Sequence, residues 1–290
     1  MAAAGRDAGV VIADLPARLA EGTLPHLPSV LDRPIAMLGG TLAYRASPAA
    51  RDAVRENLAI VAPQRQDRER LVRQTFVEQV RHYLEIFRLA RLDRATIRRT
   101  IVVTGWEHFT AAVARGQGVV VASGHIGPIS VCGQIIAANG YEITLPVEKE
   151  TGELARAINR TRARMGLRFV ETDSAFGIAR ILKRGGILGM LSDRAVTGVG
   201  ERVPFFGRPA LLPSAHVALA LRTGAVLLPG FAHRDGEVLR AVFEPELDLQ
   251  RTGDRDADLR AGMRLWAAAL ERHVAQAPEQ WSVFEPVWRR

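Results

Sequence analysis

The sequence predicts an α/β protein in which a mostly parallel central sheet is flanked by helices, with an N-terminal helical segment. From about residue 100 onwards, short apolar runs rich in β-branched residues alternate with helical patterns, as is typical of a parallel sheet covered by helices. Before that point the pattern is helical and rich in arginine. At 290 residues and 48% hydrophobic content, the chain can bury a full core. We therefore predict a basic, membrane-facing helical segment at residues 1–99 and an α/β core at residues 100–290, which together form one compact unit.

The N-terminal segment is expected to begin irregularly and then become helical. Prolines break residues 1–46 into short pieces. The apolar piece at residues 35–44 either lies in a membrane interface or packs on the core. A serine followed by a proline is typical of a helix start and predicts a helix over 47–58. A longer amphipathic helix is predicted over 66–89, with arginines on its polar face.

The charge pattern indicates an anionic partner. The net charge is +8, and the stretch from Arg45 to Arg99 holds 13 arginines against seven acidic residues. A basic helical surface attracts anionic lipid or phosphorylated ligands. Nucleic acid is not favoured, because aromatic residues are not interleaved with the basic run and no nucleic-acid-binding motif is present. With one cysteine, no apolar run of ~20 residues and no signal-peptide pattern, we expect a cytoplasmic protein that rests on a membrane surface without crossing it.

The core is expected to contain strands and helices in alternation. The predicted strands are 119–123, 141–147, 168–171, 187–191, 226–231 and 238–243. The predicted helices are 106–115, 129–139, 152–165, 175–183, 214–222 and 256–276.

His125 lies where the first of these strands turns into a helix. Val119 to Ser123 is followed by Gly124-His125-Ile126-Gly127-Pro128. Ligands of parallel α/β sheets bind outside the carboxyl ends of the strands, where loops lead into helix N-termini. Histidine is the usual general base near neutral pH, although on position alone a structural histidine is the more frequent occupant of such a turn.

The familiar catalytic signatures are absent from the sequence. There is no G-x-S-x-G elbow, P-loop, H-E-x-x-H or G-x-G-x-x-G after the first strand, and the histidines are not paired at metal-ligand spacing. We therefore expect no metal. Asp193 and Arg194 follow the strand at 187–191, and Glu201 lies in the next loop. Because the carboxyl ends of parallel strands converge on one edge, these groups are candidates to gather near His125.

Short motifs spread over most of the chain carry a family resemblance. They are Arg55-Glu56-Asn57-Leu58, Glu107-His108-Phe109, Gly124-His125-Ile126-Gly127, Arg162 before Gly166, Asp193-Arg194, Val203-Pro204-Phe205-Phe206-Gly207 and Pro278-Glu279-Gln280-Trp281. In this order the chain resembles the bacterial lipid A biosynthesis (lauroyl/myristoyl-type) acyltransferases, a family that includes phosphatidylinositol mannoside acyltransferases. The resemblance implies a glycerol-3-phosphate-acyltransferase-like core. It also implies transfer of a fatty acyl group from acyl-CoA or acyl-carrier protein, without a cofactor, to a hydroxyl of a membrane glycolipid.

The resemblance also implies roles for individual residues. His125 would be the general base that removes the acceptor proton. The family places a carboxylate five positions after this histidine, where this chain has Ser130. A hydroxyl supplies no charge, so we expect another acid to assist His125, with Glu201 as first candidate and Asp193 as second. Arg162 and Arg194 would bind a phosphate or carboxylate of donor or acceptor, and Ser130 is predicted to lie with them among the substrate-binding residues.

Two alternatives remain open from the sequence. The serine at position 130 is compatible with a degenerate family member that binds lipid and no longer catalyses. The same histidine also suits a thioesterase-like hydrolase in which water replaces the alcohol.

Overall fold

The structure is a computed structural model that describes residues 22–23, 26–147, 153–172, 175–195 and 198–288. A seven-stranded sheet lies at its centre in the order β1-β9-β8-β2-β5-β3-β4, with a separate two-stranded hairpin, β6-β7. The strands are β1 Ile101–Thr104, β2 Val119–Ser123, β3 Ile143–Val147, β4 Leu167–Glu171, β5 Ile187–Leu191, β6 Glu201–Phe205, β7 Arg208–Leu212, β8 Val226–Asp235 and β9 Val238–Phe243. Strands β2, β3, β4, β5 and β8 run in one direction, whereas β9 pairs antiparallel with β8 and parallel with β1. The prediction of a mostly parallel α/β sheet is confirmed.

Helices surround this sheet. They are α1 Asp32–Ala46, α2 Pro48–Val61, α3 Arg68–Leu89, α4 Arg94–Thr100, α5 Trp106–Ala114, α6 Ser130–Ala138, α7 Glu153–Arg164, α8 Ala175–Lys183, α9 Ala215–Thr223 and α10 Arg255–Gln276. The predicted helices of the core agree with α5 to α10 within a residue or two at each described end. Residue 152, the predicted start of α7, lies outside the described residues.

Strand β2 shows why this sheet is buried on both faces. Alternate side chains of a strand point to opposite faces. Val120 and Ala122 lie in the core cluster that holds α2, α3, α9 and α10, whereas Val119 and Val121 lie in the cluster beneath α4, α5 and α6. A continuous apolar run such as Val119 to Ala122 is therefore required at the centre of a sheet covered on both sides.

The first helix corrects the expectation that residues 1–46 are irregular. Residues 32–46 form α1 in spite of Pro34 and of Gly39 and Gly40 in its interior. A Cβ at Gly40 would lie 2.5 Å from the Val77 Cα, so the glycine lets α1 and α3 pack in direct backbone contact. Tertiary packing here outweighs the low helix propensity of glycine.

The N-terminal helices are fastened to the core. Phe76 of α3 and Leu58 of α2 are nearly inaccessible and share one core cluster with the sheet. Arg234, at the end of β8, forms buried ion pairs with Glu78 and Glu85 of α3. The apolar and ionic contacts join this segment to the sheet.

The hairpin β6-β7 and the short strand β1 were not predicted. In the hairpin, Pro204 pairs with Pro209, and proline is normally taken as evidence against a strand. Both strands lie outside the main sheet, where a missing backbone N–H is tolerated. Phe206 (φ 51°) and Gly207 (φ 69°) turn the chain between them with two left-handed residues.

In the described part of the chain, no helix combines the length and the apolar character needed to cross a bilayer.

Candidate active site

His125 lies in the loop between β2 and α6, at the carboxyl edge of the sheet. Two residues later, Gly127 has φ 54°, and a Cβ there would come within 2.7 Å of the Ala232 carbonyl oxygen. The loop can therefore lie against β8 only because position 127 has no side chain. This close approach fixes the path of the backbone on either side of His125.

A buried carboxylate holds His125 at two points. The Asp193 Oδ1 lies 2.6 Å from His125 Nδ1, and the Asp193 Oδ2 accepts the His125 backbone N–H at 2.7 Å. The His125 side chain is 27% exposed, whereas Asp193 is fully buried. With Nδ1 engaged by the carboxylate, the imidazole presents Nε2 as a proton acceptor, and no described residue bonds to that nitrogen.

Asp193 is kept ionised by its surroundings. Burial acts to raise the pKa of this carboxyl, but the charge and hydrogen bonds of His125 and the indole N–H of Trp281 together hold the pKa below its usual range. The Trp281 Nε1 donates to Asp193 Oδ2 at 2.9 Å. The carboxylate thus keeps its charge although it has no access to water.

The segment after α10 closes over the His125 loop. The Gly127 N–H donates to the Gln280 carbonyl at 2.8 Å, and the Ser282 N–H donates to the His125 carbonyl at 2.7 Å. Ile126 and Trp281 form an antiparallel bridge between these bonds. Backbone hydrogen bonds of the β type therefore hold the His125 loop against the segment after α10.

Asn57 of α2 holds the same C-terminal segment from the other side. Its Nδ2 donates to the carbonyls of Val283 and Glu285, and its Oδ1 accepts the Val287 N–H. This amide is 2% exposed. The motif that contains Asn57 is thus a structural clamp on residues that contact the site.

Ser130 does not face His125. It is the first residue of α6, and its Oγ accepts a hydrogen bond from Arg162 Nε of α7 at 3.1 Å. Burial lowers the pKa of Arg162 to about 10, so the guanidinium stays protonated at neutral pH. No carboxylate of the described residues forms an ion pair with Arg162.

The other predicted arginine lies near the same place but is paired. Arg194 Nε lies 2.9 Å from Glu285 Oε1 of the C-terminal segment. Burial raises the pKa of Tyr83, and the charges of both Arg162 and Arg194 oppose this rise. The two predicted arginines are therefore brought into electrostatic reach of one tyrosine of α3.

The ranking of the two candidate acids is reversed by the geometry at His125 Nδ1. The residue bonded there is Asp193, the second candidate. Glu201, the first candidate, begins β6 and is half-buried, and within the described ranges it makes no hydrogen bond to His125. The period of the strand places Glu201 on the same face of β6 as Val203 and Phe205, which lie in the core. Its participation in catalysis stays a prediction.

Several residues around the site were not predicted from sequence as part of it. His82 of α3 is buried, and burial, with the charges of Arg162, Arg234 and His125, lowers its pKa well below its usual range. Trp281 was identified from the sequence only as part of the Pro278-Glu279-Gln280-Trp281 motif, without a role at the site. Neither residue is near His125 along the chain, and no local pattern distinguishes either from a core residue.

The described residues contain no group of three or more histidine, cysteine, aspartate or glutamate side chains arranged to hold a metal ion.

A histidine that is paired through Nδ1 to a buried carboxylate, at the carboxyl edge of a parallel sheet, is the arrangement of enzymes that take a proton from an attacking nucleophile. The chain belongs to the family described as bacterial lipid A biosynthesis acyltransferase, whose family model matches residues 22–290. The protein is therefore an acyltransferase.

Among its relatives is the phosphatidylinositol mannoside acyltransferase of Mycolicibacterium smegmatis, which is 28% identical over 267 residues, or 88% of this chain and 86% of the relative. The phosphatidylinositol mannoside acyltransferase of Mycobacterium tuberculosis strain H37Rv is 26% identical over 216 residues, or 72% of this chain and 67% of the relative.

Proposed function

We propose that this acyltransferase moves a fatty acyl group from acyl-CoA or acyl-carrier protein to a hydroxyl of a membrane glycolipid of the lipid A or phosphatidylinositol mannoside type. The observation that carries the proposal is the His125–Asp193 pair, with Nδ1 held at 2.6 Å and Nε2 unbonded by any described residue. The names of the mycobacterial relatives support the class of acceptor.

His125 acts as general base in the proposed reaction. The acceptor oxygen attacks the thioester carbonyl carbon as its proton passes to His125 Nε2. The tetrahedral intermediate then collapses, the C–S bond breaks, and the imidazolium returns the proton to the leaving sulfur. The products are the acyl ester and a free thiol, and His125 is again neutral.

Asp193 supports this cycle without itself taking the proton. Its Oδ1 fixes the tautomer in which Nδ1 carries hydrogen, and its charge stabilises the imidazolium that forms. The hydrogen bond from Trp281 and the low pKa of the carboxyl favour the ionised form that this role requires.

Arg162 is our candidate for binding a phosphate or carboxylate of one substrate. It is a half-buried cation without a carboxylate partner in the described ranges, and its Nε is oriented by Ser130. Guanidinium groups bind phosphate oxygens in pairs, so the nitrogens not used by Ser130 suit this task.

The exposed face of α1 is our candidate for contact with an anionic membrane surface. Met37, Leu38 and Leu42 are exposed on this helix, and Arg33 and Arg45 lie near its ends. Apolar side chains with flanking arginines are typical of a helix that lies in the interface of an anionic bilayer.

Transfer is tested with radiolabelled palmitoyl-CoA and palmitoyl-carrier protein, each with the total lipid extract of the source organism. The native protein should label a glycolipid, and His125→Ala should abolish the labelling. His108→Ala serves as a matched control, because His108 lies on α5 and makes no hydrogen bond to a site residue in the part of the chain that the structure describes. Glu201→Gln tests whether that carboxylate assists the reaction.

The two rival functions give different results in the same assay. Release of free fatty acid at equal rates with and without acceptor lipid would indicate a hydrolase. Absence of any labelling by the folded native protein would indicate a lipid-binding protein and overturn the proposal.

Membrane contact is tested by sedimentation with vesicles of phosphatidylcholine alone or with phosphatidylglycerol. Binding should need the anionic lipid and should fall in the triple variant Met37→Ser, Leu38→Ser and Leu42→Ser. Val102→Ser is the control, since Val102 is also exposed but lies on β1. Unchanged binding of the triple variant would remove α1 from the membrane contact.

A further inference from the structure

Trp281 contacts the carboxylate of the His125–Asp193 pair from the segment that follows α10. It is 2% exposed, and its indole N–H donates to Asp193 Oδ2 at 2.9 Å. The same oxygen accepts the His125 backbone N–H, while Oδ1 lies against His125 Nδ1. Each carboxylate oxygen therefore has a separate task, and Trp281 supplies the one side-chain donor to Oδ2 among the described residues.

Three contacts hold Trp281 in place. Its backbone forms the bridge with Ile126, next to His125. Its ring packs edge to face with Phe205 of β6, with centroids 5.9 Å apart, and with Trp288, with centroids 6.1 Å apart. None of these contacts uses the indole N–H, which donates to Asp193.

We propose that Trp281 is a positioning residue for the His125–Asp193 pair. Its indole N–H fixes the orientation of the Asp193 carboxylate and, by hydrogen bonding to Oδ2, reduces the negative charge felt at His125 Nδ1, so that His125 stays in the neutral form that accepts a proton. This inference rests on the proposed role of His125 in acyl transfer. A carboxylate that loses one of two donors on Oδ2 is freer to rotate away from Nδ1. Its negative charge is also less stabilised by hydrogen bonds, so it interacts more strongly with a positive charge on His125 and favours the imidazolium form over the neutral base.

The chain offers a closely matched control in Trp288. Its indole N–H donates to the Phe205 carbonyl at 3.1 Å, and its ring stacks on Phe205 with centroids 5.4 Å apart. Trp281 and Trp288 thus pack on the same phenylalanine and edge to face on each other, and each donates one hydrogen bond. Replacement of either by phenylalanine keeps an aromatic ring at this contact and removes only the indole N–H. They differ in the acceptor, which for Trp288 is a backbone carbonyl and not the catalytic carboxylate.

The test compares Trp281→Phe with Trp288→Phe in steady-state acyl transfer across pH. For Trp281→Phe we expect kcat to fall about tenfold, as for loss of one hydrogen bond to a charged group, with KM unchanged. The acid limb of the kcat/KM profile should move to higher pH, because the imidazolium is then favoured. Trp288→Phe should leave both quantities as in the native protein. An unshifted acid limb in Trp281→Phe, or equal effects of the two variants, would overturn the proposal.

A second measurement needs neither turnover nor a folded Trp281 variant. In protein labelled with ¹⁵N-tryptophan, the Trp281 indole proton should move upfield in Asp193→Asn, since a neutral amide is a weaker acceptor than a carboxylate. The Trp288 indole proton should stay in place. An unmoved Trp281 resonance would refute the contact itself. Failure of His125→Ala to abolish transfer would instead refute the proposed function and leave this spectroscopic result standing.

Discussion

The two sides of His125 are built in opposite ways. On one side, Asp193 is fully buried and its two oxygens accept three hydrogen bonds, from His125 twice and from Trp281 once. On the other side, Arg162 is half-buried, makes one hydrogen bond to Ser130 and has no carboxylate partner among the described residues.

This difference distinguishes a part of the site whose polar groups are paired from a part that keeps unused hydrogen-bond donors. Buried polar groups with all hydrogen bonds satisfied hold a fixed geometry. A cation left with unused donors is suited to an anion that arrives with a substrate. We expect changes on the Asp193 side to alter the chemical step and changes on the Arg162 side to alter substrate binding.

The largest expected effect is that of Asp193→Asn. The amide can donate to Nδ1 and so stabilise the wrong tautomer of His125, which in a comparable His–Asp pair costs about 10⁴ in kcat. The measurement is single-turnover acyl transfer with saturating donor. Glu201→Gln is the companion variant, and a larger loss in it than in Asp193→Asn would transfer the orienting role to Glu201.

Acid should lower the free energy of unfolding through a second buried group near the Asp193 side of the site, His216. Its ring packs edge to face on Trp266, and the Trp266 indole donates to the carbonyl of Ser192, next to Asp193. Burial lowers the pKa of His216 to about 3. Because the folded pKa lies below the unfolded value of about 6.5, this histidine favours unfolding as pH falls from about 6.5 towards 3.

The expected size is about 3 kcal/mol of unfolding free energy lost between pH 7 and pH 4 through this one group. His216→Leu should remove that part of the acid sensitivity, as measured by urea unfolding at a series of pH values. His108→Leu, at a half-buried histidine far from Trp266 along the chain, should not. Parallel pH curves for native protein and His216→Leu would contradict the prediction.

The smallest expected effect is that of a substitution on the Arg162 side of the site. Ser130→Asp places a carboxylate beside Arg162 and should neutralise it, raising the KM of the anionic substrate about tenfold with little change in kcat. Ser130→Asn controls for size without charge. A large gain in kcat from near-zero activity would show instead that the serine had disabled the site, and the degenerate alternative would then hold.

The sequence predicted the strand, turn and helix around His125 because they depend on local rules. A β-branched run, two glycines and a proline specify that path, and the buried strand pattern on both faces specifies its place in the sheet. The helix α1 was missed for the opposite reason. Its glycine at position 40 is unfavourable locally and becomes favourable only against the backbone of Val77.

The acid that pairs with His125 could not be predicted from local sequence patterns. Asp193 and Glu201 both follow the strand β5, and the sequence alone does not specify which one the intervening loop turns inwards. Ser130 stands where the family has a carboxylate, and it was predicted only as a substrate-binding residue. As the first residue of α6 it contacts Arg162 of α7, and no local pattern indicates this contact between helices distant in sequence.

The clamp between Asn57 and residues 283–287 has a consequence for how the protein is made. The His125 loop donates one hydrogen bond to the Gln280 carbonyl and accepts one from the Ser282 N–H, and Asp193 accepts one from Trp281. During translation residues 280–287 are synthesised after the loop and its carboxylate, so these two elements leave the ribosome before their supports. The His–Asp pair is therefore fully arranged only once residues 280–287 have emerged and have packed against Asn57 of α2.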